Sequence, residues 1–134
     1  MNISTINPDD LVEVDIRGHV FDAIVSRREP GELSIDPVRP GISWRRATSR
    51  QVRRHWAPRP LRDDGAVSTR ALRVDDIVEL TVGEDQALAR IVSLRRSRMR
   101  VRALTRGAPV RDATRAQVTR HYALRGRRRA ARAR

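Results

Sequence analysis

Apolar residues come along the chain in short alternating runs. Leu11, Val12, Val14 and Ile16 are followed by Val20, Phe21, Ala23, Ile24 and Val25, then by Leu33 and Ile35. Farther on, Ile77, Val78, Leu80 and Val82 precede Leu88, Ile91 and Val92, and these precede Met99, Val101 and Leu104. Short β-branched-rich runs broken by Gly-, Pro- or charge-bearing turns predict antiparallel strands.

The runs come twice because the chain repeats itself. Asp9-Asp10-Leu11-Val12-Glu13-Val14 returns as Asp75-Asp76-Ile77-Val78-Glu79-Leu80, an offset of 66. Ala47-Thr48-Ser49-Arg50-Gln51-Val52 through His55-Trp56-Ala57 returns at the same offset as Ala113-Thr114-Arg115-Ala116-Gln117-Val118 through His121-Tyr122-Ala123. Between these blocks Ile24-Val25-Ser26 answers Ile91-Val92-Ser93 at an offset of 67, which implies one residue inserted or lost in the first loop. Blocks recurring in register mark two copies of one unit, roughly residues 9–57 and 75–123. The domains expected are a first repeat at 1–57, a linker at 58–72 carrying Pro58, Pro60 and Gly65, a second repeat at 73–123 and a tail at 124–134. The tail has six Arg and no acid, a composition that predicts disorder.

A unit of some 50 residues lies near the lower limit for folding without metal or disulfide. Closing its sheet into a barrel would remove the exposed edges that a free meander leaves. Each unit ends ambiguously. Thr48 with Gln51, and Thr114 with Gln117, fit a capping box opening a helical turn. Val52/Trp56 and Val118/Tyr122 have a spacing that suits one helix face or one strand face equally. The favoured reading is a single 3₁₀-type turn followed by a closing strand.

The Asp-Asp-[Leu/Ile]-Val-Glu opening, the Ile-Val-Ser strand and the Ala-Thr turn with Gln-Val resemble the five-stranded Src-homology-3-type barrel in its Tudor, Agenet and KOW variants. The resemblance covers most of each repeat and implies an all-β fold: two tandem barrels joined by a Pro/Gly linker, with a binding rather than a catalytic role. Two ligand types of such barrels are disfavoured. A cage for a methylated cation needs several aromatic faces, and the second repeat has only Tyr122. An aromatic-lined groove for proline-rich peptides is missing too. KOW units carry further glycines after the first strand, where this chain offers only Gly18 and Gly83.

Charge changes the picture. Over 134 residues the net charge is +13, and all 29 cations are Arg, with no Lys. The missing Lys is read as GC-rich coding, since Arg, Ala, Val, Asp, Gly and Pro share such codons. The excess of cations needs another reason, and it points to a polyanionic partner. It is unevenly spread: residues 1–57 carry +1, 58–72 +1, 73–123 +5 and 124–134 +6. In the second repeat the third strand reads Arg98-Met99-Arg100-Val101-Arg102-Ala103. Alternation puts Met99, Val101 and Ala103 inward and lines Arg98, Arg100 and Arg102 along one outer face. The cations stand roughly 6.6 Å apart, close to the spacing of successive phosphates. Arg95, Arg96, Arg106 and Arg111 flank them, and Arg125, Arg127, Arg128 and Arg129 extend the footprint into the tail. At offset 66 the first repeat has Glu32, Ser34 and Asp36 instead.

No Cys is present, which removes disulfides and thiolate chemistry. No secretory leader is expected, since Met1 to Thr5 has no basic region with an apolar run after it, and no apolar run reaches the roughly 18 residues of a membrane span. Neither a phosphate-cradling Gly loop, a Glu-His metal motif nor a nucleophile elbow occurs. His55 and His121 are repeat equivalents and read as structural, and Asp9-Asp10 and Asp75-Asp76 read as turn formers. Trp56 is expected in the core, while Trp44 is the candidate for stacking on a base. No catalytic residue, metal or cofactor is expected. The expected function is cytoplasmic, nucleoid- or ribonucleoprotein-associated binding of duplex DNA or structured RNA, through phosphate and with low sequence specificity. The alternative is a protein-interaction or assembly module that turns Glu32 and Asp36 toward its partner.

Overall fold

A computed structural model describes residues 2–60, 71–96, 98–105 and 107–126. The first repeat forms β1 (Leu11–Ile16), β2 (His19–Glu29), β3 (Glu32–Pro37), β4 (Arg46–Thr48) and β5 (Val52–Arg59). The second repeats the set as β6 (Ile77–Val82), β7 (Asp85–Leu94), β8 (Met99–Ala103), β9 (Val110–Ala113) and β10 (Val118–Leu124). The remaining regular elements are single 3₁₀ turns at Ile3–Thr5 and Arg115–Gln117. No helix among the described residues is long and apolar enough to cross a membrane.

The all-β expectation holds, but the closed barrels are not what the hydrogen bonds make. All ten strands belong to one antiparallel sheet, in the order β4-β3-β2-β1-β5-β10-β6-β7-β8-β9. Among the described residues no ladder joins β4 to β5 or β9 to β10, so the sheet is open at β4 and β9. The edge that closure would have removed is removed differently: β5 of one repeat pairs with β10 of the other. The two free edges that remain are three and four residues long, too short to template further pairing.

The β5–β10 ladder runs about an approximate two-fold axis. Ala57 faces its own repeat equivalent Ala123, Trp56 faces Leu124 and Pro58 faces Tyr122. Both β5 and β10 extend past the expected ends of the repeats, through Arg59 and Leu124. The Arg125 amide still donates to the His55 carbonyl at 2.7 Å, so the ordered chain overlaps the expected tail.

Register corrects one reading of the sequence. Val25 donates to the Asp10 carbonyl, and Ile91 donates to that of Asp76. Leu11 pairs with Ile24 while Ile77 pairs with Arg90. The offset is therefore 66 through the second strands as well, and no residue is inserted. The Ile-Val-Ser match at 67 is a one-residue slip, which in a strand exchanges the two faces. Equivalent bulges, between Val25 and Arg27 and between Ile91 and Ser93, bend the long second strand of each repeat at the same place.

Bending lets each half enclose its own core. Val12, Val14, Phe21, Val25, Leu33 and Ile35 pack in the first, and Val78, Leu80, Ile91, Met99, Val101 and Val118 in the second. A third cluster joins the halves, with Leu11, Trp56, Ile77, Leu104 and Tyr122 at its centre. Trp56 is wholly buried there, as expected, and its indole N–H donates to the Asp75 carbonyl at 2.8 Å, tying the first repeat to the second. Val20, Val82 and Val92 are exceptions to the predicted core, being exposed. The expected 3₁₀ turn forms at the end of the second repeat, at Arg115–Gln117, while the first repeat has a simple turn over residues 49–51, and the Gln half of the capping pattern is present in both. Gln51 Oε1 accepts from the Thr48 amide and Gln117 Oε1 from the Thr114 amide, both at 2.9 Å, and the closing strand follows at once.

Candidate nucleic-acid interface

On β8 the alternation is as the sequence predicts. Met99 and Val101 are buried, while Arg98, beside the strand, and Arg100 and Arg102 within it are exposed. Pairing sets Arg102 opposite Arg90 on β7 and Arg100 opposite Ser93 on β7 and Asp112 on β9. The Arg100–Asp112 pair spans 3.7 Å with both side chains more than half exposed. Such a pair is worth about 0–1 kcal/mol, so a phosphate can displace Asp112 from Arg100 at little cost. Arg98 and Arg102 have no ion-pair partner among the described residues.

The flanking cations fall into different places. Arg95 and Arg96 sit in the β7–β8 connection and are exposed. Their carbonyls accept from the Arg115 guanidinium at 3.2 and 2.9 Å, so Arg115, which the sequence did not single out, fixes the turn that presents them. Arg111 pairs opposite the inward Val101, so its register puts it on the other face of the sheet from Arg100 and Arg102. Arg125 is exposed just beyond β10. Arg106, Arg127, Arg128 and Arg129 lie outside the described residues.

The acidic counterpart in the first repeat makes no ion pair with this strand among the described residues. Glu32 is held by Arg46 of its own repeat at 2.8 Å, and Asp36 is exposed without an ion pair among the described residues. Trp44 is half-buried. It stacks on Phe21 with ring centroids 6.0 Å apart and meets His19 at 5.2 Å.

A second charged site joins the repeats and escaped the sequence reading. Arg90 extends from β7 over the Trp56 ring, 5.2 Å from its centroid, and reaches Glu13 at 3.1 Å and Asp22 at 3.7 Å across the junction. Its counterpart in the first repeat is Ile24, and that of Asp22 is Leu88. The exchange is visible only at the offset of 66 that the register sets. Burial, only partly opposed by Arg90, pushes the Asp22 carboxyl up to about 6 from 3.8. The folded state thus holds the Asp22 proton more tightly than the unfolded chain does. Its contribution to stability is full below the unfolded value and is lost as pH rises through the folded one. Replacing Asp22 by Asn removes this dependence. The stability difference between Asp22→Asn and wild type is expected to shift in favour of the variant by about 2 kcal/mol between about pH 4.5 and about pH 7.5, measured by denaturant titration. A difference that stays constant across that range would show Asp22 to be ordinarily acidic.

The two histidines are structural, in a way the sequence left open. His55 Nε2 lies 2.5 Å from Asp10 Oδ2, and His121 Nε2 lies 2.8 Å from Asp76 Oδ2, all four side chains being buried. Asp9 and Asp75 adopt left-handed backbone at φ 74°, which short polar side chains tolerate, so only the first Asp of each pair is a turn former. The second is a buried acceptor. Among the described residues no group of three or more His, Asp or Glu side chains is placed to hold a metal ion.

No family model, no curated protein and no solved structure matches this chain.

Proposed function

We propose that this chain is a non-enzymatic nucleic-acid-binding protein. It holds the phosphate backbone of duplex DNA or structured RNA through its second repeat and the Arg-rich segment that follows, with low sequence specificity. One observation carries the reading: two repeats that keep a common register at every strand carry opposite charge at one place. Where β3 bears Glu32, Ser34 and Asp36, the second repeat bears Arg98, Arg100 and Arg102. Rows of like charge without interleaved acid cost stability, and a phosphate strand is the ligand that relieves them. Guanidinium groups suit it because their planar fork meets two phosphate oxygens at once. Each repeat is taken as a small barrel of Src-homology-3 type left open between its fourth and fifth strands. The strand order 4-3-2-1-5, the private core and the paired bulges support this. The protein works in the cytoplasm on nucleoid or ribonucleoprotein.

An electrophoretic shift series tests the reading, with a DNA duplex and an RNA hairpin at low salt. Intact protein is expected to retard both. Arg98→Ser/Arg100→Ser/Arg102→Ser is expected to retard them less, and a chain ending at Gly126 less than intact protein. The truncation point matters, because cutting before Leu124 would remove part of β10 rather than the tail alone. A triple variant that binds as wild type removes the site assignment. Absence of any shift by intact protein removes the function, and favours the second reading, a protein-contact module. That reading has the exposed Asp36, without an ion pair among the described residues, on its side, but Glu32 is already engaged by Arg46.

A further inference from the structure

The junction of the repeats leaves a cleft of about 510 Å³ on the side toward which Arg102 projects. One wall is the β1–β2 hairpin of the first repeat, with His19, Val20 and Phe21. The other is the second repeat, with Val92 and Arg102 through Thr105. A recess of about 490 Å³ adjoins it, sharing His19, Phe21, Arg39 and Thr105 and ending at Trp44. Together they combine three features.

The first is apolar surface open to ligand. Val20 and Val92 are each 42% exposed, two of the four large hydrophobic residues exposed among the described residues, and they stand on opposite walls. The second is an aromatic shelf, Trp44 with His19 and Phe21 against it. The third is cation held by no close ion pair. Arg39 donates to the Val20 carbonyl at 3.3 Å and feels the Asp22 carboxyl only at longer range, and neither it nor Arg102 makes an ion pair among the described residues. The floor is different in kind, with the Glu13 and Asp22 carboxyls beside Arg90. A ligand that answers all of these is flat and partly apolar, bears an anion, and offers N–H donors at its edge. A nucleotide has this chemistry.

Arg102 belongs both to this cleft and to the β8 row, so the row leads into the cleft. From this geometry we infer that the cleft seats one unpaired base of a bound nucleic acid, packed against the Trp44 shelf, with its phosphate between Arg39 and Arg102. The inference rests on the nucleic-acid reading above and deepens it: the protein would prefer a bulge or a junction over uninterrupted duplex. It also gives Trp44 a role that its isolation in the sequence conceals, because folding carries it to the rim of the basic half.

The test compares a blunt DNA duplex with the same duplex carrying one unpaired adenosine at its centre. Affinity is read by anisotropy and tryptophan emission is recorded in parallel. Trp56 is wholly buried, so a change in emission on binding reports Trp44. The bulged duplex is expected to bind at least about fivefold more tightly, as one base stacked on an aromatic ring requires, and to quench emission where the blunt duplex does not. Trp44→Leu is expected to equalise the two affinities and abolish the quench. Trp44 also packs on the first core, so Arg39→Ser serves beside it: it leaves the tryptophans in place and should shrink the preference alone. Equal affinities with unaltered emission would overturn the seat for a base while leaving the phosphate grip standing. Failure to bind either duplex at low salt would overturn both.

Discussion

Affinity for a DNA duplex is expected to fall by about 10³–10⁵-fold between about 50 and 200 mM salt, because six to ten phosphate contacts release that many condensed counterions. The number of contacts comes from the β8 row, its neighbours Arg95 and Arg96 and the Arg of the tail. Replacing Arg98, Arg100 and Arg102 together by Ser should weaken binding on the order of 10²-fold, at about 1 kcal/mol for each exposed contact. It should also flatten the logarithmic salt slope by nearly three, since each neutralised phosphate contributes about 0.9. The two effects are linked, and the link is what makes the experiment decisive. A variant that merely unfolds the second repeat loses affinity too, but its circular dichroism changes with it. The side chains of this row project from the outer face while Met99 and Val101 fill the core, so Ser at all three positions leaves the packing in place. A binding constant flat across the salt range would mean that the charge of this strand serves solubility alone.

The strand row was legible because a period of two is local. Knowing which of Arg98 to Ala103 point outward needs only the pleat of one strand. The repeat was legible for a similar reason, as blocks at one offset need no fold to be seen. What the sequence hid depends on contacts between distant segments. His55 and Asp10 are 45 residues apart, as are His121 and Asp76, and a buried acid looks like a turn acid until its partner is known. The open sheet was hidden because the rule against free edges is satisfied equally by closing a barrel or by pairing β5 with β10. The Arg90 cluster was hidden by a single slip. The identical letters Ile-Val-Ser align Ile24 with Ile91, whereas the strand register makes Arg90 its counterpart. At an offset of 66 the exchanges of Ile24 for Arg90 and of Asp22 for Leu88 form a compensating pair at the junction. The cleft follows from that junction, since its walls come from different repeats and no stretch of sequence contains it.

Replacing Asp76 by Ala is expected to destabilise the protein by about 3–5 kcal/mol, a large share of the ~5–15 kcal/mol that holds a domain folded. The size follows from what the carboxylate accepts. Oδ2 takes the His121 ring at 2.8 Å and the Arg73 amide at 3.1 Å, and Oδ1 takes the Leu124 amide at 3.0 Å. Alanine leaves the buried His121 ring and two part-buried amides without this acceptor, and each such loss costs about 1–3 kcal/mol where water cannot replace it. Asp10 holds the His55 ring and the Asn7 amide. Asp10→Ala should therefore also be costly, but less so than Asp76→Ala. The order matters because the Leu124 bond anchors β10, the strand that joins the repeats, whereas the Asn7 bond anchors only the entry to β1. Urea denaturation of both variants measures the difference. A loss below about 1 kcal/mol for Asp76→Ala would show that water or rearrangement supplies the missing acceptor, and that the sheet does not depend on its buried pair. If the losses come in the expected order, Asp76→Ala should also weaken phosphate binding at temperatures where the variant begins to open. The row on β8 is held in place by pairing with β7, and β7 by pairing with β6, the strand that Asp76 leads into.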